Sequence, residues 1–144
     1  MMALVTAFQV QPLLPEQRPL LAQFYKRNHY KGKAKASDKI WVMINADDQI
    51  IGAARLCQQA GFTLLRGVWI EKSLCAQGLG SQLLTRLKDV GALDGCYCFA
   101  YLHLESFYST HGFCRVAPAP ASLQSALERY NRQAVQVLLM VQEG

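Results

Sequence analysis

The chain lacks the marks of several protein classes. Its 144 residues hold no apolar run near the ~20 residues that a membrane-crossing helix needs, and they open with no charged-then-apolar leader. A soluble, cytoplasmic protein with no membrane partner is expected. No Cys-x-x-Cys or His-x-x-x-His pair occurs, so no metal site is expected. The five cysteines, at 57, 75, 96, 98 and 114, are an odd number for a disulfide framework. Cys96 and Cys98 lie two apart in an apolar stretch, on one face of a strand, and read as small core residues. Internal repeats and low-complexity tracts are absent as well. Charge is sparse, at 17% of residues against 51% apolar, a composition that excludes disorder. Acidic residues are the scarcer sign, 10 against 15 basic, and the excess gathers between positions 26 and 39. That patch reads either as a solvated loop or as a contact for phosphate or nucleic acid; nucleic acid is not expected as the main partner.

What is present is organised around one junction. The length suits a single domain spanning 1–144. Up to Ile70 the residues read as a buried strand, and from Leu79 the apolar positions Leu79, Leu83, Leu84, Leu87 and Val90 fall on one helical face. Gly78 and Gly80 stand at the change of period. Glycine at both positions permits positive φ and removes the Cβ atoms that would block a ligand, leaving the first N–H groups of the helix free to bind an anion. A dinucleotide fingerprint is excluded because Leu83 stands where its third glycine belongs, and no Gly-Lys-Ser or Gly-Lys-Thr completes a phosphate-binding loop of the nucleotide-triphosphatase kind.

The segment Cys75-Ala76-Gln77-Gly78-Leu79-Gly80 resembles the [Arg/Gln]-x-x-Gly-x-[Gly/Ala] loop of the GCN5-related N-acetyltransferase (GNAT) family, with cysteine in place of the usual arginine or glutamine. Some thirty residues on, Phe107-Tyr108-x-x-x-Gly112-Phe113 resembles the F-Y-x-x-x-G-F segment of the same family. The resemblance implies an α/β (α+β) fold: a mixed sheet of six or seven strands, an antiparallel meander followed by a central parallel pair, with helices on both faces. It also implies acetyl-coenzyme A as acetyl donor and a primary amine of a small molecule or peptide as acceptor. A non-catalytic acyl-coenzyme A-binding regulatory module is the alternative.

The chain order agrees with that expectation. A strand over 3–10 precedes a helix carrying Leu20, Leu21, Phe24 and Tyr25, with Pro19 in its first turn. The basic segment 30–37 has no apolar period and reads as a loop. Strands over 39–46 and 49–58 flank an Asp47-Asp48 turn, and a third strand over 62–70 follows Gly61. The stretch 96–101 is reached by a crossover and should pair in parallel with 64–70. A short helix ends at Gly112. An amphipathic helix around Leu123, Leu127 and Tyr130 and a closing strand over 134–141 complete the chain, the helix packing on the core or forming a homodimer contact.

By the resemblance, Ala76, Gln77, Gly78, Leu79, Gly80 and Ser81 hold the pyrophosphate, and the backbones of Val68, Trp69 and Ile70 pair with the pantetheine arm as an added strand. Tyr108 matches the tyrosine that protonates the departing thiolate, and a phenol with an ordinary pKa near 10 holds its proton at neutral pH. No base is fixed by the sequence: Glu71, His103 and Glu105 are candidates, with His103 having the most suitable ordinary pKa. Tyr25 and Tyr30 flank the basic loop and are expected to line the acceptor pocket, with the lysines of 31–35 on its wall. Arg66, a charge among Leu64, Leu65 and Val68, must reach a partner or the cleft. His111 reads as a helix C-terminal residue favouring the dipole.

Overall fold

The computed structural model describes residues 8–133 and 136–143. In chain order these form β1 (Gln9–Pro12), α1 (Arg18–Arg27), β2 (Lys39–Ile44), β3 (Ile50–Gln59), β4 (Phe62–Ile70), α2 (Leu79–Asp89), β5 (Tyr97–Tyr101), α3 (Glu105–Thr110), β6 (Phe113–Arg115), α4 (Ala121–Asn131) and β7 (Val137–Gln142). Seven strands make one sheet in the order β1-β2-β3-β4-β5-β7-β6. Neighbours are antiparallel throughout except at the centre, where β4 and β5 run parallel in the register Leu64↔Tyr97. Among the described residues, no helix is long and apolar enough to cross a membrane.

The strands alternate so that successive side chains enter opposite layers. On one face Met43, Leu65, Cys98, Ala100 and Met140 pack beneath Leu79, Leu83, Leu84 and Leu87 of α2 and Tyr108 of α3. On the other, Ile40, Val42 and Ile44 meet Leu21 and Phe24 of α1, while Leu64 and Leu139 meet Leu123 of α4. Helices therefore cover both faces, and α4 packs on its own chain's sheet. Val90 departs from the expected helical face: it caps α2 and is exposed, because the chain leaves the helix at Gly91, where φ is +78°. The expected strand over 3–10 lies mostly outside the described residues, where β1 begins at Gln9. The closing strand begins at Val137, and positions 134 and 135 of the expected one also lie outside them.

The hairpin between β2 and β3 is tied by Asn45, whose Oδ1 accepts from the N–H groups of Asp47 and Gln49. The end of α1 is fastened to the far end of β4 by buried Asn28. Its carbonyl accepts from Trp69 Nε1 at 2.9 Å and its Oδ1 from the Lys72 N–H at 2.7 Å. This places Tyr30, two residues on, against the middle of β4.

Candidate active site

The site begins with a fault in the sheet. Between Ala53↔Trp69 and Arg55↔Arg66 the ladder gains one residue on β4, a bulge centred on Gly67 and Val68. Gly67 has φ +61°, and a Cβ there would lie 2.8 Å from the Tyr30 hydroxyl and 3.0 Å from Arg55 Nε, so both conformation and space require glycine. Past Leu64↔Tyr97 the two parallel strands part. The gap opens into an aromatic cavity of about 380 Å³, whose walls include Arg66, Trp69, Phe99, Tyr101, Tyr108 and Tyr130.

A second cavity, of about 510 Å³, lies on the α2 side and is lined by Val68, Trp69, Ile70, Gly80, Phe107 and Tyr108. The strand-to-helix junction supplies its floor. Gly78 is the N-cap of α2 with φ +78°, and the first intrahelical bond runs from the Gln82 N–H to the Gly78 carbonyl at 3.1 Å. Helix geometry leaves the N–H groups of Leu79, Gly80 and Ser81 without intrahelical acceptors, with the positive end of the macrodipole behind them. Gly80 itself does not have positive φ. A Cβ there would make ordinary contact with the Phe107 ring at 3.5 Å, so the position stands beside Phe107 at the cavity wall and tolerates a small side chain. The positive φ expected there belongs instead to Ala76, at +67°. Ser81 directs its hydroxyl to His111 Nε2 at 2.8 Å, tying α3 to the first turn of α2. His111 is the C-cap of α3, as its sequence position suggests, and is buried in this tie; burial, helped by Lys88, holds its imidazole below the usual range. Cys75 lines the same cavity and is exposed, its thiol turned towards the carbonyls of Ile70 and Glu71.

The two cavities share Val68, Trp69, Leu104 and Tyr108. Tyr108 is buried, packed edge-on against Phe107 and Phe113. Burial, with smaller contributions from Cys98 and Tyr101, pushes its phenol well above the usual value, so it remains a proton donor across the physiological range.

The three expected base candidates lie elsewhere. His103 sits in the single 3-10 turn Leu102–Leu104, which carries it outward; it is exposed, stacks on Tyr101 at 5.8 Å and lines neither cavity. Glu71 accepts from Arg27 at 2.8 and 3.0 Å, and Glu105 is paired with Arg115. Among the described residues no carboxylate lines either cavity, and the one imidazole is that of exposed His29 at the edge of the α2-side cavity.

On the opposite side Tyr30 lines the aromatic cavity as expected, while Tyr25 does not: it is buried behind Tyr30, the rings 4.4 Å apart. The lysines at 31, 33 and 35 are absent from the wall. Their segment instead turns its backbone inward, the Lys33 carbonyl accepting from Arg55 Nη1 and the Lys35 N–H donating to Asp38. Arg55 and Asp38 form a buried ion pair at 2.8 Å, and Arg55 Nη2 donates to the Tyr30 hydroxyl. This pair, unanticipated from the sequence, sets the position of Tyr30. Its trace in the sequence is a lone arginine in an otherwise apolar strand, the same pattern that Arg66 shows. Arg66 does reach the cavity, and its Nη2 donates to Gln59 at 3.0 Å and to the Tyr130 hydroxyl at 2.8 Å.

A family model described as an acetyltransferase (GNAT) domain matches residues 36–115, more than half of the chain. No curated protein matches it. Solved structures of the same fold include an acetyltransferase of the GNAT family from Staphylococcus aureus Mu50, 16% identical, with TM-score 0.62 over 94% of this chain and 98% of that one. The ribosomal-protein-S18-alanine N-acetyltransferase from Escherichia coli is 12% identical, with TM-score 0.67 over 94% and 93%. The N-acetylglutamate synthase from Neisseria gonorrhoeae, complexed with coenzyme A and N-acetyl-glutamate, is 12% identical with TM-score 0.69; this chain is covered over 97% but spans 36% of that one. The match over residues 36–115, which includes both the bulged strand and the bare-backbone junction before α2, establishes that the chain belongs to the GNAT acetyltransferase family.

Proposed function

We propose that this protein is an acetyl-coenzyme A-dependent N-acetyltransferase that moves the acetyl group to a primary amine of a small molecule or peptide. One observation carries the reading: two cavities of different character meet along Val68, Trp69, Leu104 and Tyr108, and the shared wall includes a buried tyrosine. The cavity beside Gly78 and Gly80 suits the donor. The N–H groups of Leu79, Gly80 and Ser81 take the pyrophosphate, with Ala76 and Gln77 shaping the approach, and the backbone of Val68, Trp69 and Ile70 pairs with the amide-bearing arm. The aromatic cavity suits the acceptor, which enters from the Tyr30 and Tyr130 side.

The step needs little acid–base machinery. The neutral amine attacks the thioester carbonyl carbon, a backbone N–H at the bulge stabilises the oxyanion, and the C–S bond breaks as Tyr108 gives its proton to the thiolate sulfur. The proton lost from the new amide nitrogen leaves to water, since among the described residues no carboxylate stands at the wall to receive it. His103 enters this scheme only as a relay through water outside Tyr101. That same lack of a base favours the second reading, an acyl-coenzyme A-binding regulatory module.

The two readings separate in one assay. Coenzyme A release is followed with amines, amino acids and peptides as acceptors, and calorimetry measures donor binding. An enzyme releases the thiol, at a rate falling at least tenfold in Tyr108→Phe with donor affinity kept. Binding without turnover on any acceptor supports the module instead.

A further inference from the structure

The aromatic cavity carries a charge that the reaction does not use. Among the described residues Arg66 is the one charged side chain on its wall. Its partners, Gln59 and Tyr130, are neutral, and the ion pairs of the described residues are made by Arg27, Arg55 and Arg115. The guanidinium lies 6.0 Å from the Phe99 ring centre and 5.7 Å from that of Tyr130, so its surroundings are aromatic as well as uncharged. Both hydrogen bonds use Nη2 alone. They fix the plane of the group and leave further N–H donors for a ligand. A half-buried guanidinium without a counter-ion is costly unless an anion joins it, and its planar fork favours a carboxylate held by two parallel bonds.

Position and surroundings narrow the ligand further. Arg66 stands two residues before Val68, just across the Gly67 bulge, and Val68 lines both cavities, so the charge lies near their junction. An acceptor reaching both points must be short, its anion close to its amine. Phe99, Tyr101 and Tyr130 offer an apolar chamber for the remainder, and no acidic residue among the described ones on the wall would welcome a second cation. Deepening the reading above, on which it rests for the acceptor's route, we propose that the acceptor is a free α-amino acid with an apolar or aromatic side chain, its carboxylate held by Arg66.

The test compares L-phenylalanine with phenethylamine, L-phenylalaninamide and spermidine as acceptors, using the full chain and acetyl-coenzyme A. The expected kcat/KM for phenylalanine exceeds that for phenethylamine by at least tenfold. In Arg66→Gln the KM for phenylalanine rises tenfold or more, the KM for acetyl-coenzyme A stays within twofold, and the preference for phenylalanine over phenethylamine collapses towards one. Arg66→Lys, which keeps charge but loses the fork, falls between. Equal use of phenylalanine and phenethylamine, or a preference for spermidine, overturns the proposal while leaving the acetyltransferase reading intact. A second readout does not depend on turnover: quenching of Trp69, which lines both cavities, by N-acetyl-phenylalanine in the presence of coenzyme A. Saturable quenching that is lost in Arg66→Gln supports the carboxylate anchor even if every amine fails as an acceptor, an outcome that would sink the catalytic reading alone. Quenching absent in the wild type, or indifferent to Arg66→Gln and Arg66→Lys, overturns the anchor.

Discussion

Asp38→Asn offers the sharpest perturbation of the site from beneath. The substitution keeps shape and removes charge, leaving Arg55 buried at 5% exposure with Tyr30, the Lys33 carbonyl and the Asn amide as neutral partners. Breaking a buried ion pair by removing one partner costs about 3–5 kcal/mol. Because three neutral acceptors remain, the lower end, about 3 kcal/mol, is expected. With a urea m-value of about 1–3 kcal/mol/M, the unfolding midpoint falls by roughly 1–3 M. Acid supplies an internal control. Burial alone would raise the Asp38 carboxyl, but the Lys35 N–H and the Arg55 guanidinium outweigh it and hold the group below its ordinary 3.8. A carboxyl with depressed folded pKa contributes stability that is fully present above pH ~4 and is lost as pH falls through the folded value. The gap between wild type and Asp38→Asn is therefore constant from pH 6 to 8 and narrows below pH 4. Replacing both partners with apolar residues, Asp38→Leu with Arg55→Met, should recover most of the loss, since no charge is then stranded. A cost below 1 kcal/mol at pH 7, or a gap that persists unchanged in acid, would refute the reasoning.

Other expectations are narrower. Gly80→Trp should abolish acetyl-coenzyme A binding by calorimetry while the circular dichroism spectrum is kept, because Gly80 lines the cavity beside Phe107 and an indole there would fill it; unchanged affinity would remove the donor from that cavity. Gly67→Ala should cost about 2 kcal/mol, from left-handed strain of about 1–2 kcal/mol and the displacement of Tyr30, and should raise the acceptor KM. Gly61→Ala, at φ +83° with open space around it, should show the strain alone and ordinary kinetics, so identical kinetic effects at both would contradict the role given to the bulge. His111 binds its proton less readily folded than unfolded, so between its lowered pKa and about 6.5 the unfolded state holds more protons and stability declines as pH falls. Melting temperatures measured from pH 7.5 to 5 should decline less in His111→Asn than in wild type; parallel curves would show that the Ser81 tie has no such cost.

How much of this was legible in the sequence depends on the range of the interaction. The change of period at 70–79, the second motif around Tyr108 and the crossover to β5 are local patterns, and each stands where expected. Long-range pairings carry no such pattern. Asp38 sits in a basic loop and Arg55 in the middle of a buried strand, and only the β2–β3 pairing together with the inward fold of 31–38 brings them within 2.8 Å. His103 stands past a strand end as expected, but the direction of its ring depends on its position within the 3-10 turn Leu102–Leu104. Tyr25 and Tyr30 were expected side by side in the pocket. Five residues apart across a helix end, they pack one behind the other with tilted rings, so just one meets the cavity. The lysines illustrate the converse, since charge density identifies a solvated segment without telling which way its backbone faces.

The parting of β4 from β5 has a mechanical consequence. It divides the sheet into a block of four strands and a block of three, each laced by antiparallel ladders and joined across the gap at Leu64↔Tyr97. Leu64 is fully buried beneath Leu123 of α4 and beside Leu139, so the join behaves as a pinned hinge whose pin is apolar packing and whose free arms carry the two cavities. Rotation about the pin would widen or narrow the gap without breaking a ladder, resisted by the α2 leucines that pack across both blocks. Amides facing the gap should accordingly exchange through openings of lower free energy than those within either block. Truncating Leu123, remote from the reacting atoms, would loosen the pin and register as weaker ligand binding before it registers as a changed rate of chemistry.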